Sequence, residues 1–171
     1  MELNEIMHLL FFPGIVLHEC AHALACLMFG VKIKKIKFID KSGGYVVHED
    51  SKDYKIIIIS LFPFFFNIFI SLICASIIKV TSEPFYIFLL IWIGIGALFF
   101  CVPSDQDTDN SFDAIKRTYT KKQSIWWLLL KIVFSPFFLL LIIILALFKI
   151  FDKVIAIRLI LVGFWLYLLV I

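Results

Sequence analysis

Across 171 residues, 63% are hydrophobic and 17% aromatic, with 20 Phe and a mean hydropathy of +1.05, which excludes an ordinary soluble domain. The composition is that of a single integral membrane domain, residues 1–171. A formal net charge of +3 says little about partners and gives no reason to expect nucleic acid.

In chain order, a first span is expected over residues 6–29, with Pro13-Gly14 as a kink or a break between half-helices, and Gly30 ending it. The start is acidic (Glu2, Glu5), so a cleavable signal peptide is not expected. The span carries His18-Glu19-Cys20-Ala21-His22. On a helix, residues four apart share a face, so both imidazoles can turn towards one metal ion with Glu19 beside them. This H-E-x-x-H arrangement is one in which two histidines hold zinc and the glutamate acts as general base on water. The bland alternative is a pair of satisfied core histidines. It leaves a buried Glu19 without compensation, whereas a divalent cation and water would neutralise it. The four cysteines (Cys20, Cys26, Cys74, Cys101) lie in apolar runs with no C-x-x-C pair and read as packing residues. His8 and His48 lie outside the motif and read as surface histidines.

Residues 31–53 mix Ile33, Ile36, Phe38 and Ile39 with Lys32, Lys34, Lys35 and Lys37 before Gly43-Gly44 and Tyr45-Val46-Val47. A short β-hairpin at the membrane surface is expected, with a solvated basic loop as the alternative. A second span follows over 56–80, with Pro63 and Asn67, then a tight turn at Thr81-Ser82-Glu83-Pro84. The third span, 85–102, holds Gly94 and Gly96, which permit close helix approach. After the polar stretch 103–124 come a fourth span, 125–148, entered by Trp126-Trp127 and containing Pro136, and a fifth, 154–171. Lys131 and Arg158, near span ends, are expected to snorkel. The fold class is therefore an all-α polytopic membrane protein of about five transmembrane helices, with a small β-hairpin after the first.

Basic residues concentrate in the first and third loops, among them Lys41, Lys52 and Lys55, then Lys116, Arg117, Lys121 and Lys122. The positive-inside rule places both loops in the cytoplasm, with the N-terminus outside and the C-terminus inside if all five spans cross. The first and third spans then run in one direction, and the loop after the third can reach the end of the first. Catalytic zinc usually takes three protein ligands, and Asp105, Asp107 and Asp109 in that loop are the candidates for the missing one. A calcium loop is excluded, since Asn110 stands where Gly is needed and Lys116 where Glu is needed. Ser104 can also cap a short amphipathic helix whose positive N-terminal end favours these aspartates, and capping and ligation can coexist.

Phe12-Pro13-Gly14 ahead of the histidine motif, a hairpin, a span with Pro63 and Asn67, and a carboxylate after the third span resemble the site-2-protease family of intramembrane zinc metalloproteases. The chain is more narrowly similar to small prokaryotic members with a Pro-Ser-x-x-Asp-x-x-Asn motif, matched by Pro103, Ser104, Asp107 and Asn110; the Leu-Asp-Gly form of the motif is absent. The resemblance covers about residues 10–112 and leaves the last two spans without a motif. It implies a metalloprotease core over about 6–113, in a prokaryotic cell membrane with the site towards the cytoplasm, acting on a membrane protein or peptide substrate. It also implies that His18, His22 and Asp107 bind Zn2+, ahead of Asp105 as third ligand. Glu19 would activate water, and Asn67 would help hold the substrate or its oxyanion. An extended substrate could add to the hairpin edge. Two other classes fit the same residues: a zinc-binding membrane scaffold without activity, and a small metal or proton transporter lined by His18, Glu19 and His22. Oligomeric state is not legible.

Overall fold

The computed structural model describes residues 3–40, 43–120 and 125–170, with the side chains of 3–5, 40 and 125–134 excepted. Glu2, Lys41, Lys121 and Lys122 lie outside the described residues, as do the side chains of Glu5, Trp126, Trp127 and Lys131. The chain is mostly helical: α1 (Leu3–Leu10), α2 (Phe12–Met28), α3 (Asp53–Ile78), α4 (Pro84–Phe99), α5 (Asp105–Thr120), α6 (Ile125–Lys153) and α7 (Ile155–Val170), with strands β1 (Ile33–Asp40) and β2 (Gly43–His48) between α2 and α3. Of these, α3 and the stretch Ser135–Lys153 of α6 are long and apolar enough to cross a membrane; α2, α4 and α7 are apolar but shorter.

The expected first span divides in two. Pro13 has no N–H to donate, so a new helix begins at Phe12 with the proline in its first turn, after a non-helical Phe11 at φ −110° and ψ 28°. The break turns α1 back, so that His8 comes to line one cavity with His18 and Glu19. Strands β1 and β2 pair antiparallel, from Ile33 opposite His48 to Asp40 opposite Gly43, which settles the hairpin over the basic loop. Gly43, at φ +113°, supplies a backbone conformation that side chains disfavour.

Side-chain contacts give each helix its direction. Gly14 meets Gly96 and His18 meets Phe100, so α2 and α4 run together, as expected for the first and third spans. A Cβ on Gly14 would collide with the Gly96 carbonyl, so this close approach requires a glycine at position 14. His22 meets Ile59 and Asn67 meets Phe100, so α3 runs the opposite way.

The C-terminal helices depart from expectation. Only Val154 separates α6 from α7, too short a link for an antiparallel pair. Tyr119 meets Phe138 edge to face at 5.1 Å while Lys149 reaches Asp109 at 2.5 Å, so α6 runs against α5. Arg158 lies over Phe99 and Trp165 fills the space beside Gly94, so α7 runs against α4. Both helices therefore follow the direction of α3. The expected alternation, in which the last span is parallel to the third, is corrected: a single-residue break cannot reverse a helix. The break lies beside the histidine motif.

Candidate metal centre

One turn of α2 separates His18 from His22, and their rings meet edge to face at 4.9 Å. His18 donates from Nδ1 to the carbonyl of Phe100 at 2.8 Å, and His22 from Nδ1 to that of Ile59 at 2.9 Å. A carbonyl oxygen only accepts, so each ring carries a proton on Nδ1, and in the neutral imidazole Nε2 is left free to ligate. The two Nε2 atoms lie 3.2 Å apart. With both rings neutral, a cation between these nitrogens would satisfy both.

The third donor comes from α5. Asp107 Oδ1 is 3.3 Å from His22 Nε2, and Oδ2 is 3.5 Å from His18 Nε2. Two ligands each about 2.0–2.1 Å from a tetrahedral ion lie about 3.3 Å apart, so the donor spacing fits an ion of zinc's size. His18, His22 and Asp107 are all buried, and together they form a group that could hold a metal ion. Burial works against ionisation of Asp107, but positive charge on the adjacent rings when they are protonated, that of His22 foremost, holds its carboxyl well below the usual carboxylate range. The same carboxylate closes the first turn of α5. Ser104 donates to Oδ2 from its backbone N–H at 3.0 Å and its hydroxyl at 2.7 Å, while its Oγ accepts the Asp107 N–H at 3.2 Å. Asp105 and Asp109 turn away instead, Asp105 towards Lys153 at 3.9 Å and Asp109 towards Lys149 at 2.5 Å. Geometry thus brings Asp107, and neither neighbour, to the histidines.

Glu19 is buried beside this group, and its Oε2 has no hydrogen-bond partner. It lines two cavities. One, of about 240 Å3, is walled by His8, His18, Gly43, Gly44, Asp152 and Arg158 among others. The second, of about 530 Å3, lies between the outer side of β2 (Gly44 to His48) and the start of α5, and it includes His22, Asp107 and Asn110. Gly44 lies so close that a Cβ there would strike Glu19 Cγ.

Asn67 is fully buried and donates from Nδ2 to the Phe100 carbonyl at 3.0 Å, the acceptor that also orients His18. It lines neither cavity. Its side chain thus contacts the group behind a candidate ligand, not the space around Glu19. Cys26 is buried against Ala25, Val31 and Ile59, in keeping with a packing role. His48, half-buried, donates to the Glu49 carbonyl at 2.8 Å.

Three residues of the cavity wall escaped the sequence reading. His8, expected at the surface, and Arg158, expected to snorkel, both join the cavity wall with Asp152 beside them. Arg158 is turned inward, its side chain only 11% exposed and paired with Asp152. An acid and a base within an apolar run were the available signal. Compared with protein families, curated proteins and solved structures, the chain matches none at a significant level.

Proposed function

We propose that this chain is an intramembrane zinc metalloprotease of the site-2-protease kind, hydrolysing peptide bonds of membrane-embedded substrates. The observation that carries the reading is the buried His18–His22–Asp107 group, with both Nδ1 atoms turned to backbone carbonyls, beside a glutamate whose Oε2 lacks a partner. Bound there, zinc would supply a Lewis acid for the scissile carbonyl and acidify a water molecule. The Phe100 and Ile59 carbonyls fix the tautomer and tilt of the two imidazoles, as the outer partners of ligating histidines do. Glu19 accepts a proton from the attacking water and returns it to the departing amine, while the water oxygen bonds to the carbonyl carbon and the C–N bond breaks. Asn67 supports His18 through Phe100 in this reading.

Peptide hydrolysis needs an extended substrate, because a helix buries its scissile bond. The outer side of β2 faces the larger cavity, and a peptide lying there as a third strand would pass Glu19, His22 and Asp107. The setting is a multi-pass membrane protein with its site towards the cytoplasm, on the strength of the apolar helices and the lysine-rich hairpin.

The test is metal content together with cleavage of a model transmembrane peptide. Wild type should hold about one zinc per chain and cleave, whereas Glu19→Gln should hold zinc and not cleave. Zinc without cleavage in wild type would replace the protease reading by the scaffold, and metal flux without stable zinc would replace it by the transporter.

A further inference from the structure

We propose that Arg158 and Asp152 are positioning residues of the metal centre: at the break between α6 and α7 they clamp the two segments that present His18's acceptor and the ligand Asp107. The inference rests on the metal reading above and extends it to the two helices that carry no motif.

Arg158 donates from Nη2 to the Asp152 carboxylate and, at 3.0 Å, to the Asp152 carbonyl. Its guanidinium carbon lies 5.4 Å from the centre of the Phe99 ring and 5.9 Å from that of Phe100. Contacts of this kind fix a cation over an aromatic face. Phe100 is the residue whose carbonyl takes the His18 Nδ1 proton, so what holds Phe100 also holds His18. On its other side, Asp152 lines the larger cavity together with Ser104, Asp105 and Asp107, at the start of α5. Asp105 opens α5, where first-turn N–H groups have no partner within the helix and a carboxylate is favoured by the helix dipole. Asp107 stands two residues further on. Lys153, next to Asp152, reaches the Asp105 carboxylate as well. One ion pair thereby stands at both ends of the link from α4 to α5.

Snorkelling would place the arginine head in water, and desolvation makes a buried pair a weak source of stability. Here the contacts of the pair run to Phe99 and Phe100 and to the cavity wall at the start of α5, the two segments that carry His18's acceptor and Asp107. Removal of such outer partners typically weakens metal binding about 10–100-fold.

The experiment uses the full chain in detergent, loaded with Co2+ in place of zinc, and reads the visible absorption of the cobalt form and Zn2+ affinity by chelator competition. Arg158→Met, which keeps bulk and loses charge, and Asp152→Ala should each shift the cobalt spectrum and weaken Zn2+ binding at least tenfold. Arg158→Lys should recover much of the loss. Lys149→Ala, which frees only Asp109, should leave both readouts as in wild type. A role limited to docking α7 would lower the melting temperature while the folded protein kept the wild-type spectrum and affinity, and that result overturns the clamp. If Arg158→Met does not fold, Arg158→Lys with Asp152→Ala decides: wild-type spectra in both reject the proposal. Wild type that takes up no Co2+ would overturn the metal reading and the clamp with it, whereas uptake in wild type with unchanged variants overturns the clamp alone.

Discussion

Ser104 and Asp107 hold each other reciprocally: the serine N–H and hydroxyl both donate to Asp107 Oδ2, and the serine Oγ accepts the Asp107 N–H. Helix capping and the approach to the two histidines are therefore done by one carboxylate, whose Oδ1 faces His22 Nε2 at 3.3 Å.

Ser104→Ala tests that sharing. It removes two of the three bonds and leaves the backbone donor, so the cap should weaken by about 1 kcal/mol. Asp107 would also lose the partner that fixes its rotation, and Zn2+ affinity should fall about tenfold. Chelator competition beside thermal unfolding measures both. A loss of stability with unchanged affinity would mean that the carboxylate is aimed by the histidines alone.

The three aspartates of the α5 start should behave differently. Asp107→Ala should lose its metal, because no other described carboxylate joins the histidines. Asp105→Ala and Asp109→Ala each break a contact to a lysine on α6, and exposed pairs of this kind add little to stability. Both should retain zinc, with Asp105→Ala the more perturbed because it adjoins the clamp. Zinc content of the purified variants decides, and loss of metal from Asp109→Ala would contradict the assignment.

Half of this centre is legible in the sequence because helical spacing is a local rule. His18 and His22 fall on one face of any helix through residues 12–28, and Ser104 with Asp107 is a capping pattern at i, i+3. The choice among Asp105, Asp107 and Asp109 is not local: it depends on which side of α5 meets α2 and which meets the lysines of α6. His8 and Arg158 are still less legible. Their approach to Glu19 follows from breaks at Phe11 and Val154, and hydropathy records how apolar a segment is without recording which way it runs. Expecting each apolar run to cross and reverse therefore gave the last helix the wrong direction.

Gly44 offers a test of Glu19 that leaves every donor untouched. A methyl group at this position would strike Glu19 Cγ and come within 2.7 Å of the Phe38 carbonyl, so either the hairpin tip lifts or the carboxylate swings away. Gly44→Ala should keep its zinc and lose activity. A displacement of about 1 Å in a reacting group costs on the order of a hundredfold in rate. Cleavage at the wild-type rate would show that the base does not depend on the hairpin for its place.

Asn67 separates two roles for a residue that the family resemblance would set against the oxyanion. Its Nδ2 donates to the Phe100 carbonyl at 3.0 Å, and its Oδ1 is buried without a partner. A residue that acted on the oxyanion would, when lost, slow turnover on the order of a hundredfold and leave the metal alone. A residue that braces the acceptor of His18 acts on the metal first: Asn67→Ala should weaken Zn2+ binding about tenfold, with a cobalt spectrum displaced from wild type. Asn67→Asp sharpens the distinction, because it exchanges the donor for a carboxylate facing a carbonyl oxygen. If bracing is the role, the aspartate variant should bind metal more weakly than the alanine variant, as the repulsion drives Phe100, and His18 with it, out of place. Equal and undiminished metal affinity in both variants, with turnover lost, would return Asn67 to the oxyanion and require its amide to leave Phe100 when substrate binds.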